Sequence, residues 1–352
     1  MLELRAGPAV IRRLREQGLT PRDIACIPAA AGGPKGLALV PLDKLLYQEW
    51  LRDAPQVELI GASIGAWRMA ALGQSDPPAA LDRLVRCYVH DQRYTSKPGP
   101  EEVAAACRRI VAAVLDGRPL RLREGVALTV VTSRARGALA NEESKLAFGR
   151  AVLSNALSRR RLATHLQRVC FQAGAPSFLS EPFDEFDLVR VPLRPGNEQD
   201  ALLASGTIPL LCAPVRDIPG APPGNYWDGA LVDYHLLLPY PRLAETGRPG
   251  IVLYPHFNDF VTPGWLDKHL PWRRSARGHS WLDNVLLVAP SREFLATLPN
   301  GKLPDRQDFY RYAQDHAARE RDWERAIGEC GRFAEAVLRW MERPDPAQVK
   351  AI

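Results

Sequence analysis

The run Gly61-Ala62-Ser63-Ile64-Gly65 constrains this chain more than any other five residues. Gln56-Val57-Glu58-Leu59-Ile60 before it reads as a strand, and Ala66-Trp67-Arg68-Met69-Ala70-Ala71-Leu72 after it reads as a helix. A G-x-S-x-G set between a strand and a helix is the sequence form of a nucleophile elbow. Such a serine sits on a tight, strained turn, and Gly61 and Gly65 leave room for it. The turn lifts the hydroxyl out of the sheet to a helix N-terminus, where partial positive charge helps hold a developing oxyanion. Alone the pattern also fits an ordinary turn, so the strand–turn–helix setting is what gives it weight.

Two further segments have the same logic. Upstream, the apolar Ile24-Ala25-Cys26-Ile27-Pro28 leads into Ala31-Gly32-Gly33-Pro34-Lys35-Gly36 and then a helical run, Leu37–Leu46. A glycine loop at a helix start offers free backbone N–H groups to an anion; it is also what an ordinary βα turn looks like. A phosphate-binding P-loop is excluded, because Gly36 follows Lys35 where Ser or Thr is required. Downstream, Tyr226-Trp227-Asp228-Gly229-Ala230 places an Asp–Gly turn after an aromatic pair.

In this order and spacing the three segments resemble the patatin-like phospholipase family, which carries a glycine-rich oxyanion loop ending in a basic residue and Gly, then G-x-S-x-G, then D-G-[AG]. Ala204-Ser205-Gly206-Thr207-Ile208-Pro209 with Pro214-Val215 is similar to the family's small-residue and proline segment before the acid. The resemblance covers about residues 22 to 240. It implies a three-layer fold with a central, mostly parallel sheet flanked by helices. It also implies a lipid acyl hydrolase with Ser63 as nucleophile, Asp228 as general base, and the amides of Gly32 and Gly33 as oxyanion hole. Lys35, Gly36, Gly61, Gly65 and Gly229 support the motifs, and no metal or organic cofactor is implied. There are departures. Ala31 stands at the family's first glycine, and Lys35 at a position more often Arg. Pro34 has no N–H to donate but suits the first turn of a helix. Asp233-Tyr234-His235 replaces the usual continuation after the acid.

Composition limits the remaining classes. The 352 residues are 46% hydrophobic, enough for one large α/β unit or two domains. The net charge is +6, and seven of the 46 basic residues are Lys, the rest Arg. That balance suits either a solvated basic surface or attraction to anionic head groups. No apolar run is long enough to span a bilayer, and the first residues lack a signal-peptide core. Six scattered cysteines without a CxxC suit free thiols in a reducing cytoplasm, and seven histidines form no metal pattern. Nothing points to nucleic acid. The expected partners are a lipid or other acyl ester and, peripherally, a membrane.

Along the chain, helices are expected over 8–18, 78–90, 100–115 and 141–169, and strands over 126–132, 187–191 and 250–254. Long helical patterns over 306–343 are read as covering the sheet. The alternation of strands and helices argues a single α/β unit over 1–352 with a largely parallel sheet. Residues 256–283 set Trp265, Trp272 and Trp281 among Arg273, Arg274 and Arg277, which fits a lid or membrane-contacting loop or, more plainly, a loop packed on the core. Two rival functions stay open. One is a Ser-His-Asp hydrolase, since His235, His256, His269, His279 and His316 all follow Asp228. The other is a patatin-like fold kept as a non-catalytic lipid-binding or interaction module. The ester itself is not defined by the motifs, because acyl selectivity lies in pocket walls.

Overall fold

Short apolar runs become buried strands here because helices flank the sheet they form. The computed structural model describes residues 1–53, 56–94, 97–141, 145–247 and 250–352. Its strands are β1 (Leu2–Ala6), β2 (Ile24–Ala29), β3 (Val57–Ala62), β4 (Val126–Ala135), β5 (Leu166–Ala173), β6 (Leu188–Pro192), β7 (Val215–Arg216), β8 (Asn225–Asp228), β9 (Ile251–Pro255), β10 (Val285–Pro290) and β11 (Val349–Ala351). Nine of them run in the order β11-β1-β10-β9-β2-β3-β4-β5-β6. Pairing is parallel from β10 through β4, and antiparallel at β1–β10 and β4–β5. In β2, β3, β9 and β10 every residue is buried, the mark of a parallel sheet covered on both faces. The architecture is the three-layer α/β arrangement with a mostly parallel centre.

Helix expectations hold in the first third, where Pro8–Glu16, Pro77–His90 and Pro100–Leu115 each begin with proline in the first turn. Over 141–169 they hold only in part, and residues 142–144 lie outside the described residues. Helices there span Lys145–Leu157 and Arg159–Leu162, and the chain then becomes β5. Gln167 and Arg168 break the apolar pattern of that strand, yet Arg168 is wholly buried. It can be so because Asp233 and Asp184 both chelate its guanidinium, at 2.6–2.9 Å. The expected helix after the glycine loop is a 3₁₀ segment, Gly33–Leu39, running into Val40–Leu45. The C-terminal pattern resolves into Gln307–Tyr312 and His316–Glu342, divided at Ala313, whose φ is 46°. The latter helix packs on Val40–Leu45 and on Pro77–His90.

Two strands take turns along one edge of β4. From Val126 to Val131 that edge pairs with β3, ending at Ala62. From Thr132 to Arg134 it pairs with β8, where Thr132 faces Asp228. The residue that follows Ala62 is therefore brought beside Asp228 by the register of a single strand.

A buried ion pair joins the two helices that follow the glycine loop and the elbow, Val40–Leu45 and Ile64–Leu72. Arg68, on the helix Ile64–Leu72, meets Asp43 through two bonds of 2.8 Å, with both side chains 1% exposed. Removing one partner strands a buried charge, which costs about 3–5 kcal/mol. Arg68→Met should thus lower the unfolding free energy in urea by that order. Pairing it with Asp43→Leu should recover most of the loss, because no charge is then left unpaired.

Candidate active site

Ser63 occupies the turn between β3 and the helix Ile64–Leu72 with φ 56° and ψ −132°, a left-handed conformation rare for a side-chain-bearing residue. Strain of this kind costs on the order of 1–3 kcal/mol and has to be held by its surroundings. The flanking glycines show how tight the turn is. A Cβ on Gly61 would come within 2.4 Å of the Ala66 backbone, and one on Gly65 within 1.9 Å of the Ala29 carbonyl oxygen. Both positions must be glycine for β2, β3 and the helix to meet. The Ser63 N–H donates to Ser205 Oγ at 3.0 Å, and Ser205 Oγ donates in turn to the Val131 carbonyl at 2.7 Å. This serine ties the elbow to β4. It lies within the small-residue segment noted above, but nothing in its spacing marks that role.

The Ser63 hydroxyl donates to Asp228 Oδ2 at 2.7 Å. The other carboxylate oxygen accepts from the Ala230 N–H at 2.8 Å, and the Asp228 N–H donates to the Thr207 carbonyl at 2.8 Å. Gly229 is required, since a Cβ there would sit 2.3 Å from the Val131 oxygen. Burial pushes the Asp228 carboxyl up to about 6, against the opposing pull of the Ala230 amide, the Ser63 hydroxyl and the Arg306 charge. Asp233, five residues on, is also buried, but it faces away into the Arg168 clamp.

The loop sites converge on the same place. The Ala31 N–H bonds the Tyr234 carbonyl at 3.0 Å, fixing the glycine loop against the chain just beyond Asp228. Gly32 is packed under Phe257, whose ring a Cβ would approach to 2.6 Å, and Gly33 has φ 58°. Gly36 lies against Ile64, so it sets the spacing between loop and elbow. Lys35 is partly buried and points over the Phe257 ring at 5.4 Å, and burial lowers its pKa.

Ser63 stands where two chambers meet. One, of about 200 Å³, is lined by Gly32, Lys35, Asp228, Trp265, Lys268 and Arg306. The other, of about 490 Å³, is walled by Ile64, Trp67, Val103, Cys107, Leu211 and Phe309 among others. The second lies in the size range of small-molecule sites, whereas the first is smaller. Lys268 and Arg306 come from parts of the chain with no motif, and no sequence signal singles them out.

No imidazole stands between Ser63 and Asp228. His235 and His256 are buried with rings 4.4 Å apart, each accepting at Nδ1 from a backbone N–H. Burial pushes His256 down to about 3 and His235 well below its usual value, so both are neutral. His316 lines the apolar chamber, and His269 and His279 are exposed. In the 256–283 segment, Asp267 is buried and accepts from Asn155 at 2.9 Å and Arg159 at 2.8 Å, while Trp272 is 72% exposed. The first half is packed and the second half faces outward. All six cysteines are free, five of them buried. Among the described residues no cluster of metal-ligating side chains occurs, and no helix is long and apolar enough to cross a membrane.

Compared with known proteins, the chain matches no family model and no curated protein.

The raised carboxyl has a measurable consequence. A folded-state pKa above the unfolded value favours the protonated form, so stability present below about pH 4 is lost as pH rises through about 6. A shift of that size corresponds to roughly 3 kcal/mol. Asp228→Asn should therefore unfold at a higher temperature than the natural protein at pH 8, with the gap closing at pH 4.

Proposed function

We propose that the chain is a serine acyl-ester hydrolase of the patatin-like type, acting on lipid esters through a Ser63–Asp228 dyad. The observation that carries this reading is the 2.7 Å bond from a strained, buried serine hydroxyl to a carboxylate whose pKa is raised to about 6. A serine hydroxyl needs a base within hydrogen-bond reach, and a base works best when its pKa lies near the working pH. An interaction module has no use for either feature. A Ser-His-Asp arrangement needs an imidazole where Asp228 stands.

In this mechanism Ser63 Oγ attacks the ester carbonyl carbon as Asp228 takes its proton. The amides of Gly32 and Gly33 receive the oxyanion; each such donor contributes about 3 kcal/mol. The carbon–oxygen bond to the alcohol then breaks, and Asp228 returns the proton to the departing alkoxide. Water, deprotonated by the same carboxylate, releases the acyl group as a carboxylic acid and restores Ser63.

Ser63→Ala should abolish ester turnover and labelling by a fluorophosphonate probe while leaving the unfolding temperature close to that of the natural protein. Asp228→Asn should fall by about 100-fold or more. Each of the five downstream histidines changed to Gln should keep activity within about tenfold. A folded histidine variant as inactive as Ser63→Ala would replace the dyad with a triad. The pH profile of kcat/KM should rise with a midpoint near 6, where an ordinary aspartate would give one near 4.

A lipid substrate also gives a use to an exposed apolar strip. On the helix Lys145–Leu157, Leu146, Val152, Leu153 and Leu157 face outward. Lys145, Arg150, Arg160 and Arg161 are exposed beside them, and residues 145–163 contain no Asp or Glu. Arg273, next to exposed Trp272, bonds the Asn155 carbonyl and joins the two surfaces. Aliphatic and indole groups framed by cations fit an anionic bilayer surface, where each cation contributes about 1 kcal/mol. Sedimentation with anionic vesicles should exceed that with neutral ones, weaken with salt, and drop in Leu153→Asp. Equal, salt-independent sedimentation with both would remove the membrane contact.

A further inference from the structure

The smaller chamber beside Ser63 holds three cations and little to neutralise them. Lys35, Lys268 and Arg306 all line it, and Arg306 also borders the larger chamber. Lys35 lies over Phe257, and Lys268 lies over Trp265 at 4.5 Å and Tyr234 at 6.0 Å, so aromatic faces stand where carboxylates would be expected. The Arg306 guanidinium crosses the glycine loop, with Nε 3.3 Å from where a Cβ on Gly33 would be. Among the described residues no carboxylate oxygen lies within 4.0 Å of the charged nitrogens of any of the three. The chamber's two carboxylates act on these charges only from a distance, Asp305 on Lys35 and Asp228 on Arg306, and each is hydrogen-bonded or paired to another group. Asp305 pairs with Lys302 at 2.8 Å, and Asp228 is bonded to Ser63 and the Ala230 amide. Burial, then repulsion from Arg306 and Lys35, pushes Lys268 down to about 8.

Three partly desolvated cations facing one small space are held against their own repulsion and against their loss of water. An anion entering that space relieves both. The position of Asp228 gives the anion its place in the reaction. The carboxylate lines this chamber and not the apolar one, so the proton it returns reaches an alkoxide on this side. The apolar chamber, more than twice as large, is then left for the acyl chain.

We propose that Lys35, Lys268 and Arg306 form a binding site for an anionic group on the alcohol half of the ester, so that the site selects single-chain acyl esters carrying a phosphate or carboxylate next to the leaving oxygen. This rests on the hydrolase reading above and adds the substrate class. The glycine-loop lysine alone would not carry it; Lys268 and Arg306, from segments far apart in the chain, close the site around the leaving group.

Two measurements test it. The first compares kcat/KM for a monoacylglycerol, its 3-phosphate and the corresponding O-acyl glycerate, all with one acyl chain and below micelle formation. At least one anionic ester should exceed the neutral one by about tenfold or more, and the better of the two identifies the anion. In Lys268→Gln and Arg306→Gln, each checked for an unchanged unfolding temperature, that ratio should fall toward one, mainly through KM. Equal values for neutral and anionic esters, or a ratio untouched by both substitutions, would overturn the proposal while leaving the hydrolase reading intact. The second measurement is calorimetric and needs no turnover. Glycerol 3-phosphate, glycerate and inorganic phosphate are titrated into Ser63→Ala protein and into the same protein carrying Lys268→Gln. Binding that Lys268→Gln weakens by about tenfold supports the anion site even if no ester is cleaved. Binding of inorganic phosphate as tight as that of glycerol 3-phosphate would overturn the link to the alcohol half. No binding of any of the three would overturn the site.

Discussion

One strand sets the distance between Ser63 and Asp228. β4 pairs with β3 as far as Val131 and with β8 from Thr132, so the elbow and the acid are consecutive users of the same edge. Because side chains alternate along a strand, a slip of one residue in either pairing would set Ser63 and Asp228 toward opposite faces of the sheet. Gly229 and Ser205 both act at the Val131 carbonyl, where the change of partner occurs: Gly229 lets the chain pass close, and Ser205 bonds the oxygen and hands its lone pair to the Ser63 amide. The 2.7 Å contact is the product of this register and not of flexible side chains finding one another.

Around that strand the structure places buried arginines where motions would blur the register. Arg68–Asp43 locks the elbow helix to the segment leaving the glycine loop. Arg168, held by Asp184 and Asp233, locks β5 to the stretch just after Asp228. Trp67 adds a third fastening, donating its indole N–H to the Leu202 carbonyl at 2.7 Å while its ring fills the space that a side chain at position 206 would need. Buried ion pairs are poor sources of net stability, but breaking one partner is costly, which makes them good at excluding alternative packings. A strained serine and a buried carboxylate are both unfavourable by themselves. They persist because the surrounding structure over-determines them.

The sequence makes the centre of this arrangement legible and its rim illegible, for a physical reason. Gly61, Gly65, Gly32, Gly33 and Gly229 are forced by backbone geometry, so they recur as short local patterns around Ser63 and Asp228. Strands such as β3 and β9 are legible because burial on both faces makes them continuously apolar. β5 is not, because Arg168 enters the core only by virtue of two carboxylates that lie 16 and 65 positions away. β1 and β11 are short and depend on a neighbour for half their bonds, so no local pattern announces them. Lys268 and Arg306 belong to the same class. Their charge reads as surface until the fold shows them facing inward, and pairwise proximity across the chain leaves no mark in either local stretch.

The chain's two ends are knitted together at the sheet's far margin, where Leu4 stands beside Val349 and β1 also lies against β10. That pairing joins residues separated by nearly the whole chain, so it carries the largest loop-closure cost of any contact in the sheet. β4 lies five places from β1 in the strand order. Fraying at the ends and preservation of the Ser63–Asp228 contact are thereby kept in different parts of one sheet, so the molecule can loosen at its margin without disturbing the register on which its chemistry depends.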